Sequence, residues 1–322
     1  MPLAVKILAL LALALAVFWA VVQYRARAEE AQAEASHPPE GQLIEVNGHT
    51  VHAVVMGSGP DVVLIHGASG NTRDMTLSLA PRLAREFRVF VFDRPGLGYT
   101  DRLNHSGATI TQQADLLSAA AAQLGANKPV VVGHSYGGAV ALAWAVHHPE
   151  NLSALVPLSA ASHTWTTGLS TYYKILSHPM LGPLIIPLMT AFVPESRVEQ
   201  AVGAVFTPDA VPEGYMNYFG PGLTLRRKSL RANALQRANL LDEIDELVPH
   251  YPQIDVPTEI LHGAADDTVG LSIHSEPLAK AIPGATLTTL DGAGHMIQHS
   301  KEDAVVNAIR RAAQRAGLRR DD

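Results

Sequence analysis

Residues 129–138 read PVVVGHSYGG, and this stretch decides the fold. Its valine run is apolar on both sides of the chain, as expected of a strand buried on both faces. Gly133-His134-Ser135-Tyr136-Gly137-Gly138 then form a Gly-x-Ser-x-Gly pattern, followed by an Ala-rich stretch with helical composition. A strand that turns this tightly into a helix needs small residues two before and two after the turn. Gly133 and Gly137 stand there. The turn pushes the serine oxygen out of the sheet, over a helix N-terminus whose dipole favours developing negative charge. Ser135 is therefore the candidate nucleophile. The plainer reading is a Gly-rich strand–helix turn without chemistry.

The same buried run recurs at 61–66 (DVVLIH), 88–93 (RVFVFD), 154–159 (ALVPLS) and 258–262 (TEILH), and more weakly at 285–290 (ATLTTL). Residues 43–46 and 51–55 flank Asn47-Gly48, a strong hairpin signal. Helix-like segments at 75–87, 110–124, 136–147, 274–281 and 301–316 lie between the runs. Such alternation predicts right-handed crossovers and a mostly parallel sheet. Residues 162–251 break the rhythm: helical pieces punctuated by prolines, with no buried-strand pattern. An insertion there lies over the carboxyl ends of the strands, where α/β sheets bind ligands. It is expected to form a helical cap.

A serine nucleophile needs a base, and the base needs a carboxylate to orient it. The loop after the 258–262 run offers Asp266 and Asp267, and the loop after the last run offers His295. All lie at strand carboxyl ends, on the edge that carries Ser135. The chain order Ser, Asp, His is that of one known triad arrangement. His66 and His134 sit inside motifs and are expected to support loops, while His262, His274 and His299 are expected to pack or lie at the surface. No histidine pair has metal-site spacing.

With these motifs in place, residues 42 to about 316 resemble the α/β-hydrolase superfamily. The matching stretches are His66-Gly67-Ala68-Ser69-Gly70, Asp93-Arg94-Pro95-Gly96-Leu97-Gly98, the Ser135 elbow, 263–266 and 292–295. The resemblance implies an eight-stranded, mostly parallel sheet flanked by helices, with a helical cap. It implies Ser135 as nucleophile, His295 as general base and then acid, and Asp266 as the orienting acid, three residues after Gly263. It places the oxyanion hole at the backbone amides of Tyr136 and Ala68, leaving both side chains to shape the pocket. Ser69 is expected to cap the following helix. Serine at the elbow argues against haloalkane dehalogenase and epoxide hydrolase activity, which use aspartate there. Ester hydrolysis is the expected reaction, on an apolar or lipid-like acyl group. C–C hydrolysis of diketones and cofactor-free perhydrolase or haloperoxidase chemistry are the alternatives, and a non-catalytic receptor or scaffold is a further one.

The rest of the composition sets bounds. The chain has 322 residues, 47% hydrophobic and 17% charged, enough for one large α/β domain with an insertion. A net charge of −6 without a basic block argues against nucleic acid. There is no cysteine, which excludes a disulfide framework and a thiol nucleophile. No cofactor is expected. Residues 7–22 are uncharged and apolar, with Trp19 and Tyr24 near one end and Arg25 and Arg27 closing the run. A cleaved signal peptide would use Ala26 and Ala28 at its cut. The length and the arginines straight after the run favour an uncleaved transmembrane anchor instead. The expected organisation is an anchor at 1–28, a polar linker at 29–41, the core at 42–161 and 252–322, and the cap at 162–251. The reading leans toward a catalytic domain outside the cytoplasm.

Overall fold

The computed structural model describes residues 2–318. Met1 and residues 319–322, the outer ends of the first and last expected segments, lie outside the described residues. Eight strands form one sheet: β1 (Gln42–Val46), β2 (His49–Met56), β3 (Asp61–Ile65), β4 (Arg88–Phe92), β5 (Val130–His134), β6 (Ala154–Leu158), β7 (Glu259–Gly263) and β8 (Thr286–Leu290). Their order is β1-β2-β4-β3-β5-β6-β7-β8. β1 and β2 pair antiparallel, β2 lies antiparallel to β4, and the remaining pairs are parallel. Asn47 and Gly48 both take positive φ, as the hairpin between β1 and β2 requires. Every residue of β3, β5, β6 and β7 is buried, which is why these strands read as unbroken apolar runs.

The N-terminal helix is α1 (Leu3–Ser36). After β3 come α2 (Thr72–Thr76) and α3 (Leu79–Leu83), where the sequence suggests one helix. Pro81 explains the break: its ring would collide with the Leu77 carbonyl in a continuous helix. α4 (Ile110–Gln123) starts on a capping box between Thr109 and Gln112. α5 (Tyr136–His147) is buried from Tyr136 through Ala145. Its run of Gly, Ala and Val lets it lie deep against the sheet. The cap carries α6 (Thr171–Ser177), α7 (Leu181–Phe192), α8 (Glu195–Phe206), α9 (Tyr215–Phe219), α10 (Pro221–Thr224) and α11 (Arg227–Leu247), all between β6 and β7. The chain closes with α12 (Ser275–Ala281), α13 (Ile297–Ser300) and α14 (Glu302–Arg315). α14 buries Val305, Val306, Ile309 and Ala313 along one stripe against the sheet face that also carries α2 and α3. α4 and α5 cover the opposite face.

The strand order reverses around β3. The chain leaves β3 for β4 on one side, then returns to β5 on the other. The loops that follow β3 and β5 therefore diverge over adjacent strand ends and leave a crevice between them. Ala68 and Ser135 stand on those two loops.

The N-terminus differs from the sequence expectation. α1 is long and apolar enough to cross a membrane, but it does not end at residue 28. The segment 29–41, expected as a linker, is helical through Ser36 and docks on the cap. Val22 and Ala26 pack against Ala191 and Leu188 of α7. Arg25 lies over the Phe192 ring at 4.8 Å. Glu30 and Glu34, one turn apart on the same helix face, pair with Arg227 and Arg226 at 2.6 and 2.7 Å. Beyond the helix, the His37 and Pro38 carbonyls accept from Tyr99 and Arg73. Pro38-Pro39 then prevents the helix from continuing. The folded unit thus extends upstream of Gln42. A chain starting at Gln42 is expected to lose at least about 2 kcal/mol of stability, since the buried Arg226 forfeits its carboxylate. Thermal unfolding of the truncated and full chains in the same detergent checks this, with Glu30→Ala/Glu34→Ala in the full chain reproducing part of the loss.

Candidate active site

Ser135 sits between β5 and α5 with φ 56° and ψ −118°, a backbone conformation that non-glycine residues rarely adopt. The surroundings impose it. A Cβ at Gly133 would overlap the Gly137 carbonyl, and one at Gly137 would overlap the Ile65 and His66 carbonyls at the end of β3. Both glycines are required by close backbone approach, and the serine between them is turned outward. The Ser135 amide donates to the Leu158 carbonyl at 2.9 Å, tying the turn to the end of β6.

His295 and Asp266 come together from separate loops, with Nδ1 of His295 2.7 Å from Oδ2 of Asp266. A carboxylate only accepts, so Nδ1 carries the proton and Nε2 keeps its lone pair. Oδ1 of Asp266 accepts the amides of Thr268 and Val269, each at 2.9 Å. His262 approaches Oδ2 at 3.3 Å and is itself held by Ser275 and the Val269 carbonyl. Burial alone would raise the Asp266 carboxyl; the bonds from His262 and His295 outweigh it and hold the group well below the usual carboxylate range. Asp267, the neighbouring candidate, is exposed. His134 rests under His295, ring centroids 4.7 Å apart, and its Nε2 donates to the His295 carbonyl at 3.0 Å. Burial, then repulsion from His295, lowers His134 to about 3, so it serves as a neutral support.

The loop after β3 is braced from below. His66 accepts the Arg94 amide on Nε2 and donates from Nδ1 to the Gly67 carbonyl; burial lowers it to about 4. The Arg94 guanidinium is fully buried and meets no carboxylate among the described residues. It donates to the His66 and Gly67 carbonyls at 3.0 Å, to Gln113 and to Gln236 of the cap. Its Cζ stands 4.2 Å from the centre of the Tyr136 ring. Asp93 accepts the amides of Thr72 and Tyr99 and bonds His52, fixing the loop after β4.

A model of the alpha/beta hydrolase fold matches residues 60–302, three quarters of the chain. The chain belongs to this family: it is an α/β hydrolase. It is 27% identical over 280 residues to a pimeloyl-[acyl-carrier protein] methyl ester esterase of Vibrio atlanticus, covering 83% of this chain and 99% of that one. It is 26% identical over 294 residues to a 2-hydroxy-6-oxononadienedioate/2-hydroxy-6-oxononatrienedioate hydrolase of Klebsiella pneumoniae, covering 84% and 94%. Among solved structures, a membrane phospholipase A superposes with a TM-score of 0.65 at 19% identity over 99% of both chains.

In this hydrolase one cavity of about 880 Å³ is lined by Ala68, Ser135, Asp266 and His295. The Tyr136 side chain does not shape it, contrary to expectation. Its ring is buried beneath Arg94, and its hydroxyl meets Gln113 and the Gln236 carbonyl. Its amide is the first of α5, a position for which the helix offers no acceptor. Ser69 does not cap α2 either; Asn71 does, accepting the Arg73 amide. Ser69 is instead gripped by Asn233 of α11, which accepts its amide at 2.8 Å and donates to its hydroxyl at 2.9 Å. Asn233 thus joins the cap to the loop that carries Ala68, and Gln236 joins it to Arg94 and Pro95 after β4, contacts that no sequence spacing announces.

The remaining histidines are more involved than expected. His262 braces Asp266, His274 accepts the amides of Ser162 and His163, and His299 is buried against Asp74 at 3.0 Å. Hydrogen bonding from histidine partners overcomes burial and lowers Asp74 and Asp93, as it does Asp266. A carboxyl whose folded pKa is depressed stabilises the fold above its unfolded pKa and loses that contribution as pH falls. The buried histidines His66 and His134, lowered to about 4 and about 3, add a loss that begins below the ordinary histidine value, so stability of this hydrolase is expected to fall from about pH 6.5 downward and most steeply below about pH 4. Unfolding midpoints in denaturant between pH 3 and 7 measure this; a flat profile contradicts it.

The cap supplies the apolar wall. The tract 180–193 contributes Met189 and Val193 to the cavity and buries Ile186 and Ala191, while Met180, Leu181 and Leu184 are exposed. Most of the apolar lining comes from elsewhere: Val198, Val202 and Val205 of α8, then Phe206, Tyr215 and Phe219, with Met296 beside the histidine.

Proposed function

We propose that this α/β hydrolase cleaves carboxylic esters with an apolar acyl chain through a covalent acyl-enzyme. The observation that carries the reading is the convergence of Ser135, the bonded His295–Asp266 pair and Ala68 on one cavity with an apolar wall. His295 Nε2 takes the Ser135 proton as the hydroxyl attacks the ester carbonyl. The amides of Ala68 and Tyr136 receive the oxyanion, each typically worth about 10²–10³ in rate. Arg94 and Asn233 position the first of these amides by holding the loop on both sides. The leaving alcohol takes the proton from His295, and water then releases the acid by the reverse sequence. Asp266 keeps Nδ1 protonated and steadies the imidazolium.

α1 is proposed to remain attached as a membrane anchor. A cut near Ala26 or Ala28 would remove the residues that dock on α7, whereas Leu8, Leu11 and Leu15 on the upstream half are exposed. The similarity of the membrane phospholipase A over the whole chain is in keeping with this. The relative that hydrolyses an oxo-dienedioate favours C–C hydrolysis as the second reading.

Active-site labelling with a fluorophosphonate, together with a panel of p-nitrophenyl esters and a vinylogous diketone, tests the assignment. Labelling at Ser135 with ester turnover is the expected result. Diketone cleavage without ester turnover would move the protein to the second reading, and a chain that neither labels nor turns over is a scaffold. Full-length protein that stays soluble after cell lysis would refute the anchor.

A further inference from the structure

Two guanidinium groups, Arg197 and Arg237, stand on the cavity wall. Arg237 comes from α11, one residue after Gln236, which is bonded to Arg94. Its Cζ lies 5.4 Å from the centre of the Tyr173 ring and 5.7 Å from that of Trp165. Trp165 in turn packs on His274 at 6.0 Å, and His274 lines the same cavity. Among the described residues, Arg237 makes no ion pair and donates no hydrogen bond. That sets it apart from Arg73, Arg88, Arg226, Arg227 and Arg310, each of which meets a carboxylate. The acids on the cavity wall do not neutralise it. Asp74 and Asp266 are occupied by histidines, and Asp267 is exposed and forms no ion pair.

A half-buried guanidinium facing a cavity without a counter-charge loses hydration, and the Trp165 and Tyr173 rings return only part of it. Its two aromatic neighbours contact it without using its N–H fork, which can receive a carboxylate or phosphate by two parallel bonds. The Phe206, Tyr215, Phe219 and Met296 cluster is a separate, apolar part of the same wall.

We infer that Arg237 binds an anionic group of the substrate, so that the preferred ester carries an apolar chain and, remote from the scissile bond, one carboxylate or phosphate. This rests on the ester-hydrolase reading and deepens it. Arg197, whose guanidinium donates to Gln200 and meets no carboxylate among the described residues, adds positive field at the same wall.

The test compares p-nitrophenyl esters of matched length that end in methyl, carboxylate or phosphate, using the full chain in neutral detergent. The wild type is expected to prefer one anionic ester. Arg237→Gln is expected to lower the anionic-to-neutral ratio of kcat/KM by about 10- to 100-fold, with Arg237→Lys restoring part of it. Which anion gains more tells carboxylate from phosphate. A ratio unchanged in Arg237→Gln overturns the inference. A second arm is independent of turnover: titration calorimetry of hexanoate and hexyl phosphate, with hexanol as neutral control, into Ser135→Ala and Ser135→Ala/Arg237→Gln. Tighter anion binding in the first supports the site even if no ester is hydrolysed, and equal binding in both overturns it.

Discussion

Ser135→Ala is expected to lower kcat for the best ester by about 10⁴- to 10⁶-fold and to abolish fluorophosphonate labelling, with substrate binding retained. Alanine leaves the cavity, the His295–Asp266 pair and both oxyanion amides in place. What disappears is the atom proposed to form the covalent bond. The remaining rate over water comes from binding and from the preorganised amides. Stability should change little, because the strained φ of 56° is imposed by the turn and is equally costly for serine and alanine. Ser135→Gly removes that strain and is expected to be the more stable variant while equally inactive. Labelling that persists in Ser135→Ala would place the nucleophile elsewhere.

Asp266→Asn is the second large effect, with an expected loss of about 10³–10⁴ in kcat and a smaller change in KM. The amide can still accept the Thr268 and Val269 amides through its oxygen, so the loop survives. If that oxygen serves the loop, the NH₂ group faces His295 and His262. An NH₂ donor facing Nδ1 selects the tautomer with the proton on Nε2, where it cannot take a proton from serine. The negative charge that steadies the imidazolium is also gone. Single-turnover kinetics separate the two amounts: acylation should slow by the full factor. Asp267→Asn, one residue along on the exposed side of the loop, should stay within threefold of wild type by the same assay, which assigns the acid between the two neighbours.

Much of this was legible in the chain. A parallel strand covered on both faces must be apolar at every position, so 61–66, 88–93, 130–134 and 154–158 stand out without any structure. The elbow is equally legible, because close backbone approach leaves only glycine at 133 and 137. Less legible was whatever depends on contact between distant segments. The helix through Ser36 reads as a polar linker because its reasons, Arg226 and Arg227, lie nearly two hundred residues away. Asn233, Gln236 and Arg237 are ordinary polar residues on a helix until the cap folds over the strand ends. Only then do they grip the Ser69 loop, meet Arg94, or face the cavity. The side chain of Tyr136 likewise turns away from the cavity to lie beneath the buried Arg94, a contact between distant segments.

Period, turn sterics and spacing within a loop are local, and they suffice for the sheet, the elbow at Ser135 and the family. The resemblance already points to Asp266 over Asp267 by its spacing from Gly263; the folded chain adds burial and direction, with Asp266 turned toward His295 and Asp267 exposed. Only the tertiary structure bound the N-terminal helix to the cap and left Arg237 facing the cavity without a counter-charge. Charge pairing and its absence are properties of residues far apart in the chain and close in space.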